Sequence, residues 1–155
     1  FDFNRQYNLQ IKVARIFNTY GPYMYESDGR VISNIILQAL KNREIHIYGN
    51  GQQTRSFCYI DDLISGMTKL MSTKKNFLGP VNLGNPNEIS ILSIAKKIIK
   101  FTNSKSKIIF KKLPKDDPTR RRPKINKAKI ELKWYPKVNL DVGLIKTIKY
   151  YKNLD

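Results

Sequence analysis

Apolar residues recur along this chain with two different periods, and segments of the two kinds alternate. Residues 11–17 alternate apolar and polar side chains and end at the turn-prone residues 18–22, which predicts a strand that runs into a loop. The same criteria predict further strands at residues 44–48, 55–60, 81–83 and 107–110. Helical spacing predicts helices at residues 31–40, from Asp61 or Asp62 onward, after Ser90 to Ile99, at 125–132 and at 140–151. Residues 113–123 are rich in proline and charge and are predicted to form a loop.

This alternation of strands and helices predicts an α/β fold. A complete doubly wound nucleotide-binding domain would need more parallel strands and a glycine-rich turn between its first strand and helix. The eight glycines contain neither G-x-G-x-x-G nor G-x-x-G-x-x-G spacing. The sequence therefore predicts part of an α/β protein, without the glycine-rich turn that would hold a dinucleotide.

The composition excludes several other classes of protein. The chain has 155 residues, of which 41% are apolar, enough for one domain or part of a larger one. No apolar run approaches the ~18 residues that cross a bilayer, and residues 1–10 do not resemble a signal sequence. We therefore expect a soluble, cytoplasmic protein with no membrane partner.

The residues that could bind a metal or act as a nucleophile are few. Cys58 is the only cysteine, and its apolar neighbours favour a buried small side chain over a nucleophile. His46 is the only histidine and is expected to face outward from its strand. Asp116 and Asp117 are adjacent carboxylates with no third ligand in view, so we expect no metal site.

The formal net charge of +17, from 29 Lys and Arg against 12 Asp and Glu, indicates an anionic partner. Nucleic acid and a nucleotide with two phosphates both fit such a charge. Most of the lysines are scattered through amphipathic segments, which is typical of a solvated face. Only residues 120–122 form a compact basic cluster, and no nucleic-acid-binding motif accompanies it. The nucleotide is therefore the favoured partner, and nucleic-acid binding is kept as an alternative.

Two polar residues stand at positions where α/β proteins contact ligands. Arg55 follows Gly49 and Gly51, and a guanidinium beside a glycine-flanked turn can grip a phosphate with two hydrogen bonds. Taken alone, such an arginine is more often a solvated surface residue. Asn18 lies just past a strand end, where its amide could face the ligand crevice or bond its own turn.

Sequence blocks in a fixed order carry a resemblance to a known family. They are residues 14–22, Ala-Arg-Ile-Phe-Asn-Thr-Tyr-Gly-Pro, then 28–40, 48–57, 79–86 and 116–123. Together they resemble the extended short-chain dehydrogenase/reductases, or NAD-dependent epimerases/dehydratases, from about residue 5 to 151. The block containing Arg55 is shared across this superfamily. Residues 14–22 and 116–123 favour its UDP-glucuronate decarboxylases, also called UDP-xylose synthases.

The resemblance implies a C-terminal portion of such an enzyme over residues 1–155. Residues 1–22 would end the Rossmann-type nucleotide-binding sheet, and residues 23–155 would form mainly the substrate-binding subdomain. The family's catalytic Tyr-x-x-x-Lys pair is absent, because none of the nine tyrosines is followed by lysine at the fourth position. We therefore expect the N-terminal cofactor-binding half to be missing and the isolated chain to be inactive. Strand 11–17 would then present an unpaired edge to the missing half or to a homodimer partner.

The activity that the resemblance implies is decarboxylation of UDP-glucuronate to UDP-xylose with NAD as the cofactor. Oxidation at the sugar C4 creates a carbonyl β to the carboxylate, which accepts the electrons released as carbon dioxide leaves. Reduction of that carbonyl then gives the product and restores NAD. The enzyme class would be a carboxy-lyase of nucleotide-sugar biosynthesis.

The resemblance also implies roles for particular side chains on the substrate. Asn18 would contact the sugar-phosphate, Asn34 and Tyr48 would line the nucleotide, and Arg55 would bind the pyrophosphate. Arg121 would reach the region of the sugar carboxylate, as a candidate catalytic residue that assists protonation after carbon dioxide leaves.

Two further residues would contact the cofactor, and three depart from the family's pattern. Thr19 and Arg30 match positions near the nicotinamide end of NAD. Tyr23 and Tyr25 stand where the decarboxylases usually carry arginine and histidine, and Lys124 stands where aspartate is common.

The alternatives that stay open are a dTDP- or UDP-sugar 4,6-dehydratase or 4-epimerase, an inactive nucleotide-sugar-binding remnant, and a basic nucleic-acid-binding protein.

Overall fold

Helices and strands alternate along the chain in the computed structural model. It describes residues 1–26, 28–74, 76–112 and 120–154. For Arg120 and Arg121 it describes the backbone alone. The helices are α1 (Asp2–Tyr7), α2 (Val31–Leu40), α3 (Ile60–Met71), α4 (Ile91–Thr102), α5 (Asn126–Glu131) and α6 (Leu140–Lys152). The strands are β1 (Ala14–Ile16), β2 (Thr19–Tyr20), β3 (Ile45–Tyr48), β4 (Thr54–Ser56), β5 (Cys58–Tyr59), β6 (Val81–Leu83), β7 (Glu88–Ser90), β8 (Ile108–Lys111) and β9 (Arg120–Arg121).

Most of the strand pairs are parallel, as expected when helices connect successive strands. β1 pairs with β6, β2 with β5, and β3 with β8, all in parallel. β4 is the middle strand of a three-stranded sheet, antiparallel to β7 and parallel to β9. The predicted α/β architecture is confirmed.

Two predicted strands have other bounds in the structure. The strand predicted at residues 11–17 is shortened to β1, Ala14–Ile16, which pairs with β6, and Thr19 and Tyr20 of the predicted turn instead form β2, which pairs with β5. The strand predicted at 55–60 is interrupted at Phe57, where the chain passes from the sheet of β4 to that of β2. Its last residue, Ile60, already belongs to α3. Alternating apolar residues predict extended backbone but not the point at which a chain changes sheets.

Several other boundaries follow from local chemistry. Ser90 caps α4, since its hydroxyl accepts a hydrogen bond from the Ser93 N–H (3.1 Å), as its position before the helix predicted. Asp61 and Asp62 lie in the first turn of α3, where carboxylates stabilise the positive end of the helix dipole. The predicted loop at 113–123 is wrong for Arg120 and Arg121, which form β9. Residues 113–119, including Asp116 and Asp117, lie outside the described residues.

The buried apolar residues form two clusters. The first core joins α2, α4 and α6 to β3 and the rings of Tyr20, Phe57 and Tyr59. The second core joins β6 to α3 and α5 and includes Cys58 and Trp134. Full burial of one large aliphatic side chain contributes roughly 1.5–3 kcal/mol. The first core is the larger one, and it supports the loops that form the cavities described below.

Helix α6 fixes one of these loops from the side of the first core. The Tyr20 hydroxyl donates a hydrogen bond to the Leu140 carbonyl (3.2 Å), and the Tyr151 hydroxyl donates one to the Met24 carbonyl (2.9 Å). Gly143 lies against the Tyr20 ring so closely that a Cβ there would overlap the Tyr20 hydroxyl. Residues 20–24 are therefore held at both ends by one helix.

The structure also tests the predictions for single residues. His46 is exposed on β3, as predicted, and Cys58 is completely buried, as predicted. Within the described part of the chain, no helix is long and apolar enough to cross a membrane. The described residues also contain no group of three or more His, Cys, Asp or Glu side chains that could hold a metal.

Candidate functional site

Two neighbouring cavities meet at Arg55. The first has a volume of about 250 Å³ and lies between α2, β3 and residues 53–55. The second has a volume of about 210 Å³ and lies between residues 18–24, the start of α2 and Phe57. Gly29, Val31 and Arg55 line both. A ligand that extends from one cavity into the other would therefore pass Arg55.

Arg55 is 8% exposed, although it carries a permanent charge. It lies on the middle strand of its sheet, with Ile89 and Arg121 as its neighbours in register on β7 and β9. Its guanidinium donates a hydrogen bond to the Thr54 carbonyl (2.9 Å). The expectation drawn from Arg55 alone, a solvated surface residue, is wrong, because the residue lies on a central strand and is buried. A guanidinium held in this way is suited to bind phosphate or carboxylate oxygens.

One wall of the first cavity is a stripe of α2. Its side chains follow helical spacing on one face: Val31, Asn34, Ile35 and Gln38. This stripe combines two apolar side chains with two side-chain amides. Such a wall can both contact a flat apolar surface and form directional hydrogen bonds.

The opposite wall of the first cavity is β3. The N–H groups of Ile45 and Gly49 donate to the carbonyls of Lys107, just before β8, and Lys111, at its end (2.9 and 2.8 Å), so the backbone groups of His46 and Tyr48 face away from β8. The Gln53 side chain donates to the Tyr48 carbonyl (2.8 Å) and, like Arg55, lines this cavity. The cavity thus offers a strand edge with polar groups next to an aromatic ring.

The second cavity lies at the N-terminal end of α2. The first N–H groups of a helix carry partial positive charge, and Arg30 and Arg55 add two guanidinium groups to this end of the cavity. Asn18 and Thr19 form part of the other side, where the Thr19 hydroxyl donates to the Phe17 carbonyl (2.9 Å). The electrostatics of this cavity favour an anionic ligand.

The structure brings together nearly all the residues that the sequence singled out. The first cavity is lined by Asn34, Tyr48 and Arg55, and the second by Asn18, Thr19, Arg30 and again Arg55. Arg121 is the neighbour of Arg55 in the β4–β9 pair, which places its backbone beside the site. The roles of these residues toward a ligand stay predictions.

Sequence reasoning missed other residues that line the first cavity, among them Gln38, His46 and Gln53. Two of them carried a usable signal. His46 is two residues from Tyr48 on a strand and therefore shares its face, and Gln38 is one helical turn beyond Asn34. Gln53 reaches the cavity through a turn, and no periodicity indicates its direction.

The titratable groups of the two cores are suited to packing rather than to proton transfer. Burial, and to a smaller extent the nearby Asp62, raises the pKa of Cys58 to about 12, so this thiol is not a nucleophile at neutral pH. Burial also raises the pKa of Tyr20 far above its usual range, with smaller contributions led by Tyr59. These two groups therefore do not supply a base at neutral pH.

Most of the chain is similar in sequence to known proteins. Residues 1–84 match the model of the NAD dependent epimerase/dehydratase family. UDP-glucuronic acid decarboxylase 1 of Xenopus tropicalis is 49% identical over 148 residues, which cover 96% of this chain and 35% of that protein. UDP-glucuronic acid decarboxylase 3 of Arabidopsis thaliana is 45% identical over 144 residues, 93% of this chain and 42% of that protein.

Solved structures share the fold over nearly the whole chain. UDP-glucose 4-epimerase of Thermotoga maritima, with UDP-glucose, has a TM-score of 0.91 at 28% identity and covers 99% of this chain. UDP-glucuronic acid 4-epimerase of Bacillus cereus, in complex with UDP-glucuronic acid and NAD, has a TM-score of 0.90 at 32% identity and equal coverage. This chain covers 49% of each of those chains and about a third of the first curated relatives.

Proposed function

This chain belongs to the NAD dependent epimerase/dehydratase family, and from that premise we propose that it forms the UDP-sugar-binding part of a UDP-glucuronate decarboxylase. The observation that carries the proposal is the position of Arg55, buried at the junction of two cavities. Identity of 41–50% to the decarboxylases of vertebrates and plants supports the choice of substrate. The division into a sheet-forming part, residues 1–22, and a substrate-binding part, residues 23–155, belongs to the same proposal.

A UDP-sugar would lie across both cavities. The diphosphate would bind at Arg55, because a buried guanidinium loses little water on binding and offers two parallel donors to phosphate oxygens. The nucleoside would occupy the first cavity beside Asn34 and Tyr48, where amide and aromatic groups suit a planar base. The sugar would occupy the second cavity, with Asn18 near the sugar-phosphate.

NAD is the cofactor in this proposal, and the second cavity suits only one end of it. Thr19 and Arg30 would contact the nicotinamide end, since a hydroxyl and a cation line that cavity next to the proposed sugar site. When bound, the cofactor supplies the removal and return of hydride at the sugar C4. The residues of this chain would bind and orient the sugar beside it.

Arg121 would act near the sugar carboxylate. Its backbone pairs in register with Arg55, so the two residues arise from neighbouring positions on adjacent strands. A cation there would hold the carboxylate before carbon dioxide leaves and assist protonation afterward. Arg121 is therefore the candidate catalytic residue of this chain.

We expect the residues of this chain, by themselves, to have no decarboxylase activity. Their sequence contains no Tyr-x-x-x-Lys pair, and the raised pKa of buried Tyr20 makes it unsuited to replace the catalytic tyrosine. We therefore expect these residues alone to bind a UDP-sugar without converting it. Formation of UDP-xylose by them alone would contradict this expectation.

A UDP-sugar 4-epimerase is the second candidate, because both solved structures described above are 4-epimerases. A UDP-glucuronate epimerase would bind the same substrate and use the same oxidation at C4, but would retain the carboxylate. The product distinguishes the two functions: carbon dioxide and UDP-xylose for a decarboxylase, UDP-galacturonate for an epimerase. The higher identity to decarboxylases favours the first candidate.

Titration calorimetry of the purified protein with UDP and UDP-glucuronate tests the binding proposal. Arg55→Ala should weaken both affinities about 10- to 100-fold, since hydrogen bonds to charged groups contribute about 1.5–3 kcal/mol each. Arg55→Lys keeps the charge without the paired donors and should give an intermediate loss. Arg15→Ala removes an exposed arginine outside both cavities and is the matched control.

Two results would contradict the binding proposal. One is the absence of UDP binding by the wild-type protein. The other is an equal effect of Arg55→Ala and Arg15→Ala, with thermal unfolding confirming that both variants are folded. Binding to duplex DNA that weakens steeply with salt and ignores Arg55→Ala would favour the nucleic-acid alternative instead.

A further inference from the structure

Asp28 makes several contacts at the start of α2. One carboxylate oxygen, Oδ1, accepts hydrogen bonds from the Arg30 N–H (2.9 Å) and from the Ser33 hydroxyl (2.6 Å). The other, Oδ2, lies 3.6 Å from Nε of the Arg30 side chain. Arg30 is the N-cap residue of α2, and its own side chain does not cap the helix. Asp28 therefore accepts hydrogen bonds at the start of α2 and also lies beside the Arg30 guanidinium.

The two partners of Asp28 differ in their freedom. Ser33 is completely buried, so its hydrogen bond fixes the Asp28 carboxylate, whose side chain is 19% exposed. The Arg30 side chain is 64% exposed and lines the second cavity. An exposed arginine loses much side-chain entropy when it binds a ligand, unless another group already restricts it. Asp28 is placed to impose that restriction.

We propose that Asp28 is a positioning residue, which holds the Arg30 guanidinium at the second cavity so that an anionic ligand meets two arginines, Arg30 and Arg55. This inference rests on the proposed function and extends it, because Arg30, placed above beside the nicotinamide end of NAD, would also face the anionic groups of the UDP-sugar assigned to the same cavity. It gives Asp28 a role that no direct contact with the ligand explains. The role extends to whichever anionic group binds there, diphosphate or sugar carboxylate.

The change in ligand affinity when Asp28 is neutralised separates the positioning role from electrostatic repulsion and from helix capping. A carboxylate beside an anion site repels the anion, so its neutralisation should strengthen binding if electrostatic repulsion were its main effect. If Asp28 only capped α2, its neutralisation would change stability and leave binding unchanged. A positioning role predicts weaker binding after the negative charge of Asp28 is removed, and it predicts that this loss depends on Arg30.

Asp28→Asn tests this prediction in the purified protein with UDP-glucuronate as the probe. Asparagine retains an oxygen for the Arg30 N–H and the Ser33 hydroxyl but removes the charge that faces the Arg30 guanidinium. We expect about threefold to tenfold weaker binding, the range of one net hydrogen bond, with little change in thermal unfolding. Asp141→Asn is the matched control, because it removes the carboxylate that pairs with Lys97 (2.8 Å) away from both cavities. Unchanged or tighter binding by Asp28→Asn would overturn the inference.

A double-mutant cycle with Arg30→Gln provides the second readout. If Asp28 acts through Arg30, Asp28→Asn should cause no further loss of affinity in the Arg30→Gln background. An equal loss in both backgrounds would show that Asp28 acts through the helix instead, and would also overturn the inference. Binding that depends on Arg55 but not on Asp28 would leave the proposed function intact. Absence of UDP-glucuronate binding by the wild-type protein would overturn both.

Discussion

The walls of the two cavities and residues 1–16 differ in how far their apolar side chains are buried. Around the cavities, Ile35 and Phe57 are 3% and 7% exposed and even the charged Arg55 is 8% exposed, whereas Tyr48 (52%) and Val31 (38%) are the more exposed apolar wall residues. Residues 1–16 instead carry large apolar side chains that are 49–65% exposed, here called the N-terminal face: Phe1, Phe3, Tyr7, Leu9 and Ile16. One region is completed by the chain's own packing, and the other presents apolar surface to its surroundings.

Strand pairing shows the same contrast. β4, which carries Arg55, has a strand on each side. β1 pairs with β6 along one edge, and among the described residues no strand pairs with its other edge. A free strand edge beside exposed apolar side chains favours association with another chain or segment. The comparison teaches that ligand binding should depend on the first core, whereas association should depend on the N-terminal face.

The largest expected effect is on the first core, at Gly143 of α6. A Cβ there would overlap the Tyr20 hydroxyl and lie 2.9 Å from ring atoms of both Tyr20 and Tyr59. We expect Gly143→Ala to lower the free energy of unfolding by about 2–3 kcal/mol, as overpacking does, despite the higher helix propensity of alanine. Denaturant unfolding measures this loss. Displacement of Tyr20, which lines the second cavity, should also weaken UDP-glucuronate binding.

Gly66 of α3 provides the matched helical glycine in the second core. Its Cβ would lie 3.0 Å from the end of the Leu83 side chain and from the Trp134 ring, a smaller conflict that small shifts relieve. The helix propensity gained by alanine, about 1 kcal/mol, should offset most of that cost. Equal destabilisation by the two substitutions would contradict the idea that the cavity side is the more tightly constrained.

A smaller effect on the free energy of unfolding is expected at Tyr151. The difference between wild type and Tyr151→Phe should depend on pH. Burial, with smaller contributions led by Asp28, raises the pKa of Tyr151 from 10.0 to about 12. The unfolded chain therefore ionises first, so this contribution to stability is complete below about pH 10 and is lost as the pH rises toward 12. Tyr151→Phe should cost about 1 kcal/mol at about pH 8, since it removes the hydrogen bond to Met24.

Repeating that measurement at about pH 11 sharpens the prediction. The difference between wild type and Tyr151→Phe should shrink, because the wild type alone loses the contribution of the neutral phenol. Lysines that titrate in the same range affect both proteins alike. A difference that stays constant with pH would show that the hydroxyl's protonation state does not matter for folding.

The sequence predicted the architecture well where periodicity was sufficient. β6 has the predicted bounds, and α2 begins and ends where the apolar spacing placed it, because each is a single regular element with one buried face. The division of residues 55–60 between two sheets was missed, since it depends on partners far along the chain. β7 was missed as well, because only one of its three residues, Ile89, is apolar and no alternation is visible.

The candidate site was predictable for a different reason. Asn18, Asn34, Tyr48 and Arg55 were singled out because their surrounding blocks resemble a family, and the structure places all of them on the two cavities. The burial of Arg55 was not predictable, because its place on the central strand depends on the pairing of β4 with β7 and β9, which are distant in sequence. Asp28 was likewise missed as a single residue, since its importance depends on the direction of its two oxygens.

The smallest expected effect on stability is on the N-terminal face. Phe3 is 65% exposed and stacks on Tyr7, so Phe3→Ser should change the free energy of unfolding by less than about 0.5 kcal/mol. Self-association of the purified protein, measured by sedimentation velocity, should nevertheless decrease, because exposed large apolar side chains favour association. Ile130→Ser removes a similarly exposed apolar side chain (74%) that is not one of these residues and should leave association unchanged. Two results would contradict this prediction: destabilised folding, or unaltered association, in Phe3→Ser. Either would show that the N-terminal face is already covered, so that the contrast with the cavities would not be one between exposed and buried apolar side chains.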